Sequence, residues 1–284
     1  MADTGASKLK DKVVVITGGA RGMGAAYAKA FLQAGAKVVA TDRSWAGTEA
    51  PKGNLLALEM DVTNDAQIDA AYKATLDKFG TADVLINNAA IRQRDLFPPT
   101  GRITTLETKD SDWEKSFAVN VFGALKVMRR FVQPMIKQRR GSIINVVSSG
   151  ILNHSHGGAY MALRPNSREM PYMSGKAALA TMSFYLADEI KEHNVAVNIV
   201  VPGHTRTTGF DEQNRARLAL GNKPGPLPVV PDHMVPLVLN LAAQDASTLT
   251  GKMFDVMTWN QEHGLGGQAA WADTSFSYES LKAG

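Results

Sequence analysis

The sequence predicts an α/β protein: one open, doubly wound parallel sheet of seven strands with helices on both faces. Two observations carry that prediction. Seven short runs rich in β-branched residues alternate with longer segments of helical period, the order expected of strand–helix–strand units. Most of the strand runs are apolar throughout instead of alternating, as strands covered on both faces are. Right-handed crossovers wind such units into one sheet. No internal repeat, low-complexity tract or linker divides the 284 residues. A single domain is therefore expected over 1–257, with a tail over 258–284 packing on that domain or on a neighbouring subunit.

Taken in order, the strands are expected at 12–17, 36–42, 55–60, 82–87, 141–147, 196–201 and 252–256. The first helix, 24–34, stops at Gly35, a residue suited to the left-handed conformation of a helix end. The next, 66–79, aligns Ile68, Ala71, Tyr72, Thr75, Leu76 and Phe79 on one face before Gly80. Trp113, Phe117, Val121, Leu125, Met128 and Val132 form another apolar stripe at helical spacing, and 177–193 reads as a long helix feeding the sixth strand. Three segments break the rhythm: 91–109 with Pro98, Pro99 and Gly101, 150–171, and the Pro- and Gly-rich 205–231. All three follow strand ends on the side where open α/β sheets bind ligands, and long loops there carry function.

Composition narrows the function classes. Apolar residues at 44% and charged residues at 20% suit a globular core and exclude a mostly disordered chain. Lys and Arg number 31 against 27 Asp and Glu, a net charge of only +4, with the basic residues scattered, so no nucleic-acid partner is expected. No stretch approaches the ~18–20 apolar residues of a membrane span, and the polar first dozen residues lack the apolar centre of a signal peptide. The absence of cysteine excludes disulfides and thiolate metal sites and fits a cytoplasmic location.

The first strand runs directly into Thr17-Gly18-Gly19-Ala20-Arg21-Gly22-Met23-Gly24 and then a helix. Glycines there permit a tight turn at positive φ and let a pyrophosphate approach bare N–H groups at a helix N-terminus. Such a turn also serves as an ordinary strand–helix connection, so its context matters. Asp42 closes the second strand, close to the ~20-residue offset of an acidic residue that binds adenosine ribose hydroxyls. A carboxylate there repels a 2′-phosphate and favours NAD over NADP. Arg21 and Arg43 could pair with that phosphate, which keeps NADP open.

Further motifs follow in order along the chain. They are Asp61-Val62, Asn87-Asn88-Ala89-Ala90, Asn120, Asn145-Val146-Val147-Ser148, Tyr172-Met173-Ser174-Gly175-Lys176, and Pro202-Gly203-His204-Thr205-Arg206-Thr207. Together with the glycine turn they resemble the short-chain dehydrogenase/reductase family in its compact single-domain form, over nearly the whole length. Ala90 departs from the family's glycine at that place. The resemblance implies a Rossmann-like fold, an NAD(P) cofactor, and interconversion of a secondary alcohol and a ketone. It implies cofactor contacts at Gly18, Arg21, Gly22, Met23, Gly24, Asp42, Arg43, Asp61, Val62, Asn88, Ala89, Tyr172, Lys176, Pro202, Gly203, Thr205 and Thr207. It implies catalytic roles for Ser148, Tyr172, Lys176 and Asn120.

Hydride transfer between an alcohol and a ketone needs a group that takes or gives a proton at oxygen. A phenol of pKa ~10 is a poor base near neutrality. Lys176 lies one helical turn from Tyr172, and its charge, with that of an oxidised nicotinamide, favours the tyrosinate. Tyr172 is thus expected as general acid/base, Lys176 to lower its pKa and hold the ribose hydroxyls, and Ser148 to hold the substrate oxygen. By resemblance, Asn120 holds a water that links Lys176 to solvent. Tyr160, nearer to Ser148, is a rival for the tyrosine; Arg164 four places on is not the lysine the pair requires, and roughly 159–171 then reads as an insertion above the site.

Weaker signals surround this core. His154, His156, Arg164, Arg168, Arg92 and Arg94 could bind an anionic substrate group, although solvated loop charges or subunit contacts are the plainer reading. No carboxylate completes a site with His154 and His156, and no metal is expected. Phe210, Leu218 and Leu220 suggest an apolar underside to a flap and a hydrophobic or aromatic substrate. Phe184, facing outward, and the family resemblance suggest a homo-oligomer, a dimer or a tetramer. Two alternatives stand beside the main reading: an NADP-preferring carbonyl reductase, and a catalytically silent nucleotide-sensing protein, against which the intact Ser, Tyr, Lys and Asn set speaks.

Overall fold

The computed structural model describes residues 5–45, 53–92, 95–96, 104–156, 170–206, 210–219, 221 and 227–281. Seven strands, β1 (Val13–Thr17), β2 (Lys37–Asp42), β3 (Leu55–Glu59), β4 (Val84–Asn87), β5 (Gly141–Val146), β6 (Val195–Val201) and β7 (Met253–Asp255), form one sheet in the order β3-β2-β1-β4-β5-β6-β7. Every neighbouring pair is parallel, and each strand bound falls within two residues of its place in the sequence reading. The apolar runs follow from this burial. Val13 and Val15 enter one core and Val14 and Ile16 the other, so a strand covered on both faces has no polar side to spare.

Eight helices of the described residues flank the sheet: α1 (Gly22–Gln33), α2 (Asp65–Phe79), α3 (Asp110–Phe117), α4 (Ala124–Gln138), α5 (Tyr172–Ile190), α6 (Phe210–Ala219), α7 (Val235–Ala242) and α8 (Val256–Glu262). On one face α2, α4 and α5 contribute Ile68, Phe131, Met128 and Leu179 to the first core. On the other, α1, α7 and α8 contribute Phe31, Leu237, Leu241 and Trp259 to the second. The strand order reverses between β1 and β4, which opens a crevice beyond their carboxyl ends, the place where such sheets take ligands.

The apolar stripe at 113–132 is not one regular helix. Between α3 and α4 the chain widens into a π-helical turn over Ala118–Gly123. A Cβ at Gly123 would sit 2.6 Å from Val62 Cγ2, so this turn is pressed directly onto the loop after β3. Turns of this kind re-aim side chains and recur at functional sites; here the turn carries Asn120. The long helix read at 177–193 begins earlier, at Tyr172, and its α-helical part ends at Ile190. Beyond the sheet, α8 buries Trp259 and Asn260 against the second core.

Candidate active site

The half of the crevice beside β1 and β4 is made largely of backbone. Gly18 (φ 67°) and Gly22 (φ 56°) take the left-handed conformation on either side of the turn that opens α1. Gly24 is needed for space: a Cβ there would lie 2.0 Å from the Gly18 carbonyl oxygen. No acidic side chain occupies the first turn of α1, so its N–H groups and positive dipole end face the crevice. Thr17 Oγ1 accepts the N–H groups of Asn88 and Ala89, each at 3.0 Å, and Asn88 Nδ2 donates to the carbonyls of Thr17 and Gly18 at 3.0 and 3.1 Å. The ends of β1 and β4 are thereby locked together around the glycine turn.

Asp42 Oδ2 accepts the Ala20 N–H at 3.1 Å, which fixes the carboxylate beside the glycine turn. Arg21 and Arg43 are exposed, and Gly22 and Met23 are half-buried. Asp61 Oδ1 is engaged by Thr63, from its N–H at 2.8 Å and its hydroxyl at 2.7 Å, while Val62 is buried against the π-helical turn.

The catalytic candidates meet at the start of α5. Tyr172 and Lys176 are both buried, the lysine almost wholly. Lys176 Nζ donates to the Val146 carbonyl at 2.8 Å and lies 5.8 Å from the Tyr172 ring centroid. That bond ties α5 to the end of β5, two residues before Ser148. A Cβ at Gly150 would lie 2.4 Å from Met173 Sδ, so the turn carrying half-buried Ser148 packs directly on the first turn of α5. Beneath them Asn87 Nδ2 donates to Asn145 Oδ1 at 2.8 Å and Asn145 Nδ2 to Ser183 Oγ at 2.7 Å, bracing β4, β5 and α5. Burial, and secondly the charge of Arg92, lowers Lys176 to about 7.

Asn120 is buried beside Gly175. Its Oδ1 accepts the Ile91 N–H at 3.1 Å, and its Nδ2 donates to the Ile91 carbonyl at 2.9 Å and to Ser116 Oγ at 3.2 Å. The asparagine thus clamps the segment after β4. The next residue, Arg92, places its guanidinium 5.3 Å from the Tyr172 ring centroid.

Beyond β6 the site is built from side chains. The Gly203 N–H donates to His233 Nε2 at 3.0 Å, and His233 Nδ1 bonds the Val230 carbonyl at 2.7 Å. Those two partners fix the tautomer: the proton sits on Nδ1 and Nε2 accepts. Burial pushes His233 down to about 4, so it stays neutral. Thr205 is buried, its hydroxyl on the Gly203 carbonyl at 2.9 Å. Arg206 grips Asp211 through two bonds of 3.1 and 2.8 Å, reaches Asp273 at 3.2 Å, and stacks on Phe276 with its guanidinium 5.0 Å from the ring centroid. Phe210 of α6 meets Phe276 edge-on at 5.3 Å, and Leu281, Leu218 and Tyr278 complete the cluster. α6 and the C-terminal residues of the same chain therefore pack together.

The crevice brings together Gly18, Gly24, Asp42, Asn88 and Ala89, and α5 brings together Asn120, Ser148, Tyr172 and Lys176. Pro202, Gly203 and Thr205 follow β6 on the same edge. Thr207, Arg94, Tyr160, Arg164, Arg168, Leu220 and the side chains of His154 and His156 lie outside the described residues. Among those described, no group of three His, Cys, Asp or Glu could hold a metal ion. Sequence reading missed His233, which no motif marks, and gave Arg92 no link to the tyrosine.

The family model for the short chain dehydrogenases matches residues 12–218. Fluoren-9-ol dehydrogenase of Terrabacter sp. (strain DBF63) is 48% identical over 268 residues, 92% of this chain and 75% of that protein. Galactitol 2-dehydrogenase of Agrobacterium fabrum is 35% identical over 201 residues, 69% of this chain and 71% of that protein. Among solved structures, the 3-ketoacyl-(acyl-carrier-protein) reductase of Brucella melitensis complexed with NADH superposes with a TM-score of 0.70 at 29% identity, covering 87% of this chain and 97% of that one.

Proposed function

The chain belongs to the short-chain dehydrogenase family of oxidoreductases, and on that premise we propose that it interconverts a secondary alcohol and a ketone with NAD, its substrate a bulky, largely aromatic alcohol. The observation that carries the reading is the juxtaposition of Tyr172 and Lys176 at the buried start of α5 with the turn holding Ser148. Similarity to a fluoren-9-ol dehydrogenase and the aromatic ring of Phe210 against His204, just beyond β6, support the substrate class.

The nicotinamide, when bound, accepts or supplies the hydride. In the oxidising direction Tyr172 takes the alcohol proton while Ser148 donates a hydrogen bond to the oxygen. Lys176 favours the phenolate and reaches toward the ribose. Asn120 holds the segment after β4 against α5. The carboxylate of Asp42 supports NAD over NADP, since it would repel a 2′-phosphate. The glycine cradle and α1 accept the pyrophosphate, with the remaining cofactor contacts at the positions given by the motifs. One catalytic unit over 1–257 with an appended tail fits this arrangement. Exposed Phe122, Phe184 and Tyr185 support a homo-oligomer, and the lack of cysteine supports a cytoplasmic location. None of the described helices is long and apolar enough to cross a membrane.

Tyr172→Phe tests the reading. Turnover of fluoren-9-ol and of smaller secondary alcohols should fall by roughly 10³-fold or more with NAD or NADP, a loss of about 4 kcal/mol in barrier lowering. NADH affinity, followed by fluorescence, should stay within about threefold. Substantial remaining turnover would sink the assignment. A preference for NADP in the wild-type protein would sink the cofactor reading alone.

A further inference from the structure

We propose that Arg92 is a second cationic positioning residue for Tyr172: its guanidinium, seated on the phenol ring, stabilises the phenolate and sets the pH at which alcohol oxidation begins. The inference rests on the reading of Tyr172 as the acid/base group. The geometry has three parts. The guanidinium carbon lies 5.3 Å from the ring centroid, within the ~6 Å of a cation–π contact. Asn120 holds both backbone groups of Ile91, so the residue carrying this cation follows directly on a clamp that packs against Gly175 of α5. Arg92 Nε is buried with no hydrogen-bond partner, and among the described residues no ion pair joins Arg92 to a carboxylate. A buried donor left unmatched in this way asks for an explanation, and the electron-rich phenolate face beside it supplies one.

Two cations address one phenol because they behave differently with pH. Lys176 faces Tyr172 from α5, and its burial brings its titration down to about 7. Above neutrality, where a phenolate is wanted, the lysine progressively loses its charge. A guanidinium keeps its charge throughout. Among the described residues Arg92 and Lys176 are the cations within ~6 Å of the Tyr172 ring centroid, and the Asp95 carboxylate accepts the backbone N–H of Arg92 at 2.7 Å. Arg92 therefore supplies the charge that persists, and it also opposes the protonation of Lys176.

The test is an ultraviolet difference titration of the Tyr172 phenolate, wild type against Tyr172→Phe, repeated for Arg92→Met against Arg92→Met/Tyr172→Phe. Without the guanidinium, Lys176 holds its proton to somewhat higher pH. Burial, however, is the larger cause of the lysine's shift, so compensation is partial. The phenolate midpoint in Arg92→Met should rise by about one pH unit, and the acid limb of kcat/KM for alcohol oxidation should rise with it. Arg92→Lys, whose amine can give up its charge as pH rises, should fall between wild type and Arg92→Met. An unmoved midpoint, or Arg92→Lys matching Arg92→Met, overturns the proposal. Should circular dichroism show Arg92→Met unfolded, Arg92→Gln provides the neutral replacement under the same criteria. Full turnover in Tyr172→Phe removes the reading beneath the proposal, whereas an inactive Tyr172→Phe with an unmoved Arg92→Met midpoint removes only the role of Arg92.

Discussion

The two halves of the crevice are held by different means. Around β1 and β4 the site is backbone: glycines at positive φ, N–H groups of Asn88 and Ala89 on Thr17, and the open first turn of α1. Beyond β6 it is side chains reaching far along the chain, Gly203 to His233 and Arg206 to Asp273 and Phe276. A pyrophosphate is the same in every reaction, so a rigid backbone cradle suits it. A loop surface held by single side-chain contacts can be changed without disturbing that backbone. The two halves should accordingly fail separately.

The largest effect is expected in the backbone half. Gly24→Val forces atoms onto the Gly18 carbonyl, already 2.0 Å from an added Cβ, and onto Asn88 Nδ2 at 2.9 Å. Neither partner is a flexible side-chain end able to swing away without losing the lock between β1 and β4. NADH affinity should drop about 100-fold or more, equivalent to roughly 2.7 kcal/mol, and overpacking should cost a further 1–3 kcal/mol or so of stability. Fluorescence titration and thermal melting read both. NADH binding at wild-type strength would show that the turn is not the phosphate cradle.

Phe276→Ala probes the other half. Phe276 is buried between Phe210, Tyr278 and the Arg206 guanidinium. Its removal leaves a void under α6 and loosens the segment from the C-terminal residues. Loss of a buried aromatic ring costs about 3–5 kcal/mol where the structure cannot collapse, here confined to a satellite cluster. The alcohol KM should rise about tenfold, roughly 1.4 kcal/mol, while the KM for NAD changes less than about twofold. Equal damage to both constants would break the division between the halves.

This division also marks what could be read before the structure. The strands were legible because both faces of β1, β4, β5 and β6 are buried, which leaves unbroken apolar runs. Tyr172 and Lys176 were legible because a four-residue interval is a property of one helix. The π-helical turn was not, since it packs on Val62 of another element, a contact that periodicity within the stripe does not report. Nor was the role of His233, 30 residues from the N–H it accepts, or the bond of Arg206 to Asp273 across 67 residues. Periodicity reports on a residue's own element. Contacts made by single side chains across distant loops leave no period to find.

His233 sits where the comparison is weakest, a side chain of the second half that holds backbone of the first kind. His233→Phe keeps a ring of similar size but leaves the Gly203 N–H without its acceptor and the Val230 carbonyl with only the backbone N–H of residue 233. The Gly203 turn should relax, raising the KM for NAD about fivefold, near 1 kcal/mol, with kcat little changed. The second readout is stability against pH. The folded histidine titrates at about 4, below its ordinary 6.5, so between those values the unfolded chain binds the extra proton. Wild-type stability is therefore fully present above about pH 6.5 and declines as pH falls toward 4, by at most ~1.4 kcal/mol per unit. Urea denaturation at several pH values should show this component missing from His233→Phe. If the variant keeps both the acid slope and the wild-type KM for NAD, the histidine is neither buried as described nor a support of the Gly203 turn. If it loses both, one buried imidazole couples the side-chain half to the cofactor, and the separation of the halves ends at residue 203.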